Sequence, residues 1–153
     1  MIKIRNKIDQ DTVAVDTLIA VATDELRAVY QRINTNDKNS RDEITRIVAL
    51  IDEGIVGTAE YCSHGESVLL TGLAVSPLFR NQGVAKALTD YILLQMSREG
   101  KFELALNTIK ETGNVDIFLR MGFSVVSEGI SENYKGVNGE DVTLVLMVRK
   151  TSP

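Results

Sequence analysis

Apolar and polar residues are spaced along this chain in patterns that separate strands from helices. Ile2 and Ile4 alternate with Lys3 and Arg5, the period-two signature of a short first strand. Between residues 16 and 31 the period changes. Leu18, Ile19, Ala22, Leu26, Val29 and Tyr30 recur at helical spacing, and Asp11 or Asp16 is placed to cap the start. The polar run NTNDKNSRD at 34–42 breaks the pattern and predicts a surface loop. Three strand-like runs follow, at 44–51, 55–62 and 67–75, separated by DEG at 52–54 and SHGE at 63–66. Loops this short between β-prone runs predict an antiparallel meander. Pro77 has no N–H to donate and ends the pairing.

A helix is predicted over 84–98. Val84, Leu88, Tyr91, Ile92 and Gln95 fall near one face, while Lys86, Asp90 and Arg98 point away, and Gly100 is a C-terminal stop. Residues 102–109 read as a strand, 114–121 as a short helix ended by Gly122, and 123–126 as the opening of another strand. Asn138-Gly139 is a strong hairpin signal before a last strand at 142–148. The predicted order is β-α-β-β-β-α-β-α-β-β. This is an α/β chain of the α+β type: one mixed, mostly antiparallel sheet with helices on both faces. The step from 67 to 109 is expected to be a right-handed parallel crossover.

Bulk properties narrow the function classes. A length of 153 residues, 44% hydrophobic and 25% charged, suits one domain over 1–153 with a sizeable core. The formal charge of -4 disfavours nonspecific binding to nucleic acid or an anionic membrane, although a local basic patch can still hold a phosphate. The tyrosines at 30, 61, 91 and 134 are too scattered for a base-stacking platform. A single cysteine, Cys62, leaves no internal disulfide framework. The start, MIKIRNKIDQD, carries no apolar signal core, and no run approaches a membrane span, so a cytoplasmic location is expected. No HxxxH, CxxC or acidic cluster suggests a metal.

The segment VSPLFRNQGVAKAL at 75–88 is where chemistry concentrates. A strand ends, a short loop turns, and a helix begins near Gly83 or Val84. The first N–H groups of a helix lack intrahelical partners and carry partial positive charge, which makes an anion site. Gly83 and Ala85 keep the approach open, and Arg80 and Lys86 add charge. Spacing alone allows two readings: an anion site, or a plain strand-to-helix turn with a packing glycine. The segment is neither a Walker loop nor a dinucleotide fingerprint, because GK[ST] and GxGxxG are both absent.

LAVSPLFRNQGVAKAL resembles the central motif of the GNAT acetyltransferase superfamily: V-x-P-x-x-R, then (Q/R)-x-x-G-x-(G/A), then a helix. NVDIFLRMGF at 114–123 is similar to the family's later helix, N-V-x-F-Y-x-x-x-G-F, and the element order agrees over nearly the whole chain. The resemblance implies the GNAT fold and acetyl-CoA as cosubstrate. It implies that the amides of Gly83, Val84 and Ala85, with Arg80 and Gln82, hold the pyrophosphate. The backbone of Leu73, Ala74 and Val75 pairs with the pantetheine arm, and Asn107, Asn114 and Phe118 line its thiol end. The implied partners are acetyl-CoA and an amine acceptor, with no nucleic acid and no membrane, and a homodimer is left open. Segments 31–42 and 127–140 are expected to set acceptor specificity.

Two departures leave the proton transfers open. Phe118 stands where the family carries a tyrosine that protonates the leaving thiolate. The thiolate then leaves unaided, or Tyr134 or Tyr61 serves, or the chain binds acetyl-CoA without efficient turnover. The strand SVLLTGLAV also lacks the glutamate often found there, so Glu60 on the preceding strand is the candidate base, with Glu66 and His64 behind it. Glu60 also reads as a solvated strand charge, His64 as an exposed turn residue, and Cys62 as a small buried apolar group.

Overall fold

The short loops produce the meander. β3 (Ile44–Ile51), β4 (Gly54–His64) and β5 (Ser67–Val75) are consecutive antiparallel neighbours, and β1 (Lys3–Asn6) adds to the outer side of β3. The computed structural model describes residues 1–33 and 43–152, so the loop predicted at 34–42 lies outside the described residues. After β5, Pro77–Phe79 form a single 3-10 turn and α2 (Val84–Arg98) leads to β6 (Glu103–Ile109), which is parallel to β5. α3 (Asn114–Arg120) precedes a long hairpin of β7 (Ser124–Gly136) and β8 (Asp141–Lys150). The hairpin closes at the predicted Asn138-Gly139, with Gly139 at φ +81° and its N–H bonded to Gly136.

Two predicted boundaries need correction. α1 spans Thr12–Arg27, four residues before the expected start, and it stops before Tyr30. Tyr30–Arg32 are a further strand, β2, paired antiparallel with Gly136–Tyr134 of β7. The strand expected to open at 123–126 runs as β7 to Gly136. The helical spacing of Val29 and Tyr30 is a local signal, and a distant strand overrides it. The eight-stranded sheet has the order β1-β3-β4-β5-β6-β8-β7-β2. Because β1 and β2 are its two edges, α1, which joins them, must cross the sheet on one face.

Alternation along β4 assigns the faces. A Cβ on Gly57 would lie 2.7 Å from Val84 and 3.3 Å from Leu88, so Gly57 faces α2. Thr58 and Glu60, on the opposite face, line a cavity with α1. The main core lies on the α2 side: Ile47, Ala59, Leu88, Ile92, Met96, Leu104, Val145 and Met147 are fully or almost fully buried there. Val115 and Phe118 of α3 pack on the same cluster. Among the described residues no helix is long and apolar enough to cross a membrane.

Candidate active site

The loop before α2 is shaped by backbone conformation. Asn81 and Gly83 both have positive φ, +62° and +81°, a region that glycine enters freely and asparagine tolerates. Gly83 occupies the N-cap position and supplies no side chain to cap the helix. Its carbonyl takes the first helical bond, from Ala87 at 2.9 Å. No described residue bonds the amides of Val84, Ala85 and Lys86, and a Cβ on Gly83 would meet nothing within 4 Å. The result is an open nest of donors at the positive end of a 15-residue helix. Gln82 is exposed beside it, and Lys86 pairs with Asp90 at 2.7 Å. Arg80 points instead to α1. Its two terminal nitrogens donate to both oxygens of Glu25, at 2.9 and 2.5 Å, and hold that carboxyl below its usual range.

Next to this nest the sheet splits. β5 and β6 are paired only at Val68–Leu104 and Leu69–Ala105. Directly after that, Glu60 opposes Gly72 and Tyr61 opposes Leu70, which leaves Thr71 as an extra residue, a β-bulge. A bulge bends its strand, and this one turns β5 away from β6. Ser76 donates to Val56 across the β4–β5 pair at 2.8 Å. Hydrogen-bonding direction alternates along an antiparallel strand, so the main-chain groups of Leu73 and Val75 point away from β4 into the split. Those of Ala74 are spent on β4. The expected three-residue cofactor strand therefore offers two residues to the split.

On the α1 face of β4 and β5 lies a cavity of about 260 Å³, walled by Ile19, Ala22, Thr23 and Leu26 of α1 and by Thr58, Glu60, Thr71, Gly72 and Ala74. Glu60 is the carboxylate in this wall. One of its oxygens accepts from Arg46 Nε at 2.7 Å, and its side chain is 22% exposed. A wider depression of about 520 Å³ lies at the opposite end of β5, around Gly65 and Gly100. It carries the carboxylates of Glu66, Glu99 and Glu103 beside Lys101 and Lys150, and no helix begins there.

The remaining expected residues fall in several places. Asn107 is exposed on β6 beyond the last β5–β6 pair, on the face opposite Leu106. Asn114 opens α3, with its N–H on the Thr112 hydroxyl at 3.2 Å. Phe118 stands edge-on to Phe123, with ring centroids 5.7 Å apart, and packs on the core. Tyr134 stands edge-on to Tyr30 at 5.2 Å, and Tyr30 opens β2. Burial, then Tyr134, pushes the Tyr30 phenol up. Tyr61 is raised by burial and by Tyr91 and Glu99. Glu99 follows the end of α2, about 20 Å of helix from the donor nest. His64 is exposed near the β4–β5 turn and Cys62 is buried. Sequence reasoning missed Glu25, Arg46, Thr23, Thr71 and Tyr30. The Arg46–Glu60 pairing follows from the β3–β4 hairpin register, whereas the Glu25–Arg80 contact joins residues 55 apart and has no local signal.

A family profile described as "Acetyltransferase (GNAT) domain" matches residues 42–125, from the start of β3 through α3 into β7. The chain belongs to the GNAT acetyltransferase family. Solved GNAT structures superpose over nearly its full length. A GCN5-related N-acetyltransferase from Kribbella flavida has a TM-score of 0.75 and 17% identity, covering 98% of each chain. The ribosomal-protein-S18-alanine N-acetyltransferase from Escherichia coli has a TM-score of 0.70 and 16% identity, covering 100% of this chain and 96% of its own. An aminoglycoside 6'-N-acetyltransferase complexed with coenzyme A has a TM-score of 0.72 and 14% identity, covering 99% and 98%. No curated protein sequence matches the chain. As a GNAT enzyme the protein is an acetyltransferase whose acetyl donor is acetyl-CoA.

Proposed function

We propose that residues 1–153 act as one domain that transfers the acetyl group of acetyl-CoA directly to a primary amine of a small molecule or peptide. The observation that supports it is the adjacency of two features: the uncapped α2 start, and the β5 edge whose Leu73 and Val75 groups open into the split. The donor nest of Gly83, Val84 and Ala85, with Gln82 and Arg80, takes the pyrophosphate. The β5 edge pairs with the pantetheine arm, whose thiol end runs toward Asn107, Asn114 and Phe118. The amine enters the cavity under α1.

Each chemical step has a group to serve it. An alkylamine has a pKa of about 10.4 and must lose a proton before it attacks. Glu60, in the cavity wall with one oxygen on Arg46, accepts that proton directly or through water. The neutral nitrogen attacks the thioester carbonyl, and a β5 amide facing the split donates to the oxyanion. The nitrogen gives up its second proton to water, and collapse breaks the C–S bond, releasing the N-acetyl product and coenzyme A thiolate. Phe118 has no proton to give, so Tyr134, edge-on to Tyr30, is the phenol assigned to that thiolate. A thiol pKa of about 8.5 lets part of the product leave without it.

Thiol release from acetyl-CoA across a panel of amines, aliphatic, peptidyl and aromatic, tests the reading. Turnover on at least one primary amine supports it. Tight acetyl-CoA binding with no turnover on any of them overturns the amine assignment. Gly83→Glu tests the loop: its carboxylate would face the pyrophosphate, so coenzyme A binding is lost, whereas Gly83→Ala costs only the left-handed backbone, about 1 kcal/mol. Equal affinity in wild type and Gly83→Glu refutes the loop assignment.

A further inference from the structure

One side-chain contact ties α1 to the donor loop. Glu25 lies in the last turn of α1 and accepts both terminal nitrogens of Arg80 in a fork-to-fork pair, at 2.9 and 2.5 Å. Thr23 and Leu26, on either side of Glu25, wall the cavity assigned to the amine. A pyrophosphate on the amides of Gly83–Ala85 draws on the same guanidinium, whose two terminal nitrogens each already donate to a carboxylate. Those two N–H groups cannot donate to both anions at once. Both partners of the pair are more than two-fifths exposed, so water screens it and it yields readily.

We infer that Glu25 is a positioning residue that acts through Arg80. It competes with the acetyl-CoA pyrophosphate for the guanidinium, and its displacement frees the last turn of α1 and so reshapes the amine cavity. The inference rests on the reading of Arg80 as a pyrophosphate ligand. Donor occupancy and the acceptor wall are then linked by the exchange of one ion pair. The structural cost of losing Glu25 is small, because the pair is on the surface and Glu25→Gln keeps the side-chain shape.

Calorimetric titration with coenzyme A, and with pantetheine as a probe lacking the pyrophosphate, separates the possibilities across wild type, Glu25→Gln, Arg80→Gln and the double variant. Arg80→Gln weakens coenzyme A by about tenfold or more, as expected for loss of a hydrogen-bonded charge. Glu25→Gln tightens coenzyme A by about two- to fivefold, leaves pantetheine unchanged, and has no effect on an Arg80→Gln background. The gain shrinks as salt rises. Hydrogen exchange at residues 24–28 quickens when coenzyme A saturates the wild type and is already fast in Glu25→Gln. If Arg80→Gln binds coenzyme A normally, the phosphate-ligand reading fails and the exchange of partners fails with it. If Arg80→Gln is weakened but Glu25→Gln is not tightened, the phosphate reading stands and the competition is wrong. A Glu25→Gln variant that merely loses stability, or α1 exchange that coenzyme A does not quicken, also overturns the inference.

Discussion

At the scale of single residues, Glu60 and Asp11 are carboxylates in different surroundings. Glu60 pairs with Arg46 in the wall of a cavity. Glu60→Gln is expected to lower kcat by about a hundredfold, within the usual range for a general base, with coenzyme A affinity unchanged. The deficit should narrow as pH rises toward the amine's own pKa, because a deprotonated amine needs no base. A loss that is flat with pH, or is confined to KM, argues for a structural role. Asp11 has a structural task. It accepts Arg5 through both oxygens, at 2.7 and 3.1 Å, and the Ile8 amide at 2.9 Å, and its side chain is only 6% exposed. The Arg5 bond, then the Ile8 amide, lower its pKa from 3.8 to about 2. The folded value lies below the unfolded one, so the stabilisation is present above pH 4 or so and is lost as pH falls toward 2. Denaturant melts from pH 6 to 2 should show that loss in wild type and a flatter profile in Asp11→Asn.

At the scale of elements, the start of α2 is held by a missing side chain on β4. Gly57 lets Val84 sit directly on the strand, and an added Cβ would lie 2.7 Å from Val84 Cγ1 and 3.3 Å from both Leu88 Cδ1 and the Ala74 carbonyl oxygen. Gly57→Ala is therefore expected to push the first turn of α2 off the sheet, at a cost of about 1–3 kcal/mol. Because that turn carries the donor nest, acetyl-CoA affinity should fall as well. Thermal melts and titration of the same variant check both. Lost stability with undiminished affinity would separate the helix start from the donor site. The Thr71 bulge plays the matching part on β5, since it ends the β5–β6 pairing at Leu69 and so leaves Leu73 and Val75 with main-chain groups to offer.

At the scale of the whole molecule, the sheet consists of two parts joined along a short parallel seam. One part is β1-β3-β4-β5 and the other is β6-β8-β7-β2, with two residue pairs between them. A cofactor arm lying in the split adds hydrogen bonds between the parts. Coenzyme A at 100 times its Kd is therefore expected to stabilise the fold by about 2.7 kcal/mol and to raise Tm by roughly 5–10 °C. Hydrogen exchange should slow most at the Leu73 and Val75 amides. Protection confined to α2, with none on β5, would place the arm elsewhere.

Local patterning determined much of this protein. The meander, Pro77 as the end of pairing, α2 with its glycine start and the Asn138-Gly139 turn were all legible, because neighbouring residues specify them. The structure decided what depends on residues far apart. β2 formed where a helix was predicted, because β7 was there to pair with it. On β5 the main-chain groups of Leu73 and Val75 turn into the split and those of Ala74 toward β4, because register and a bulge decide where carbonyls point. Arg80 met Glu25 across 55 residues because α1 crosses the sheet from one edge to the other. Sequence spacing reports periodicity within an element, whereas pairing register and helix traverse are set by the closing of the sheet, and these placed the walls of the candidate site.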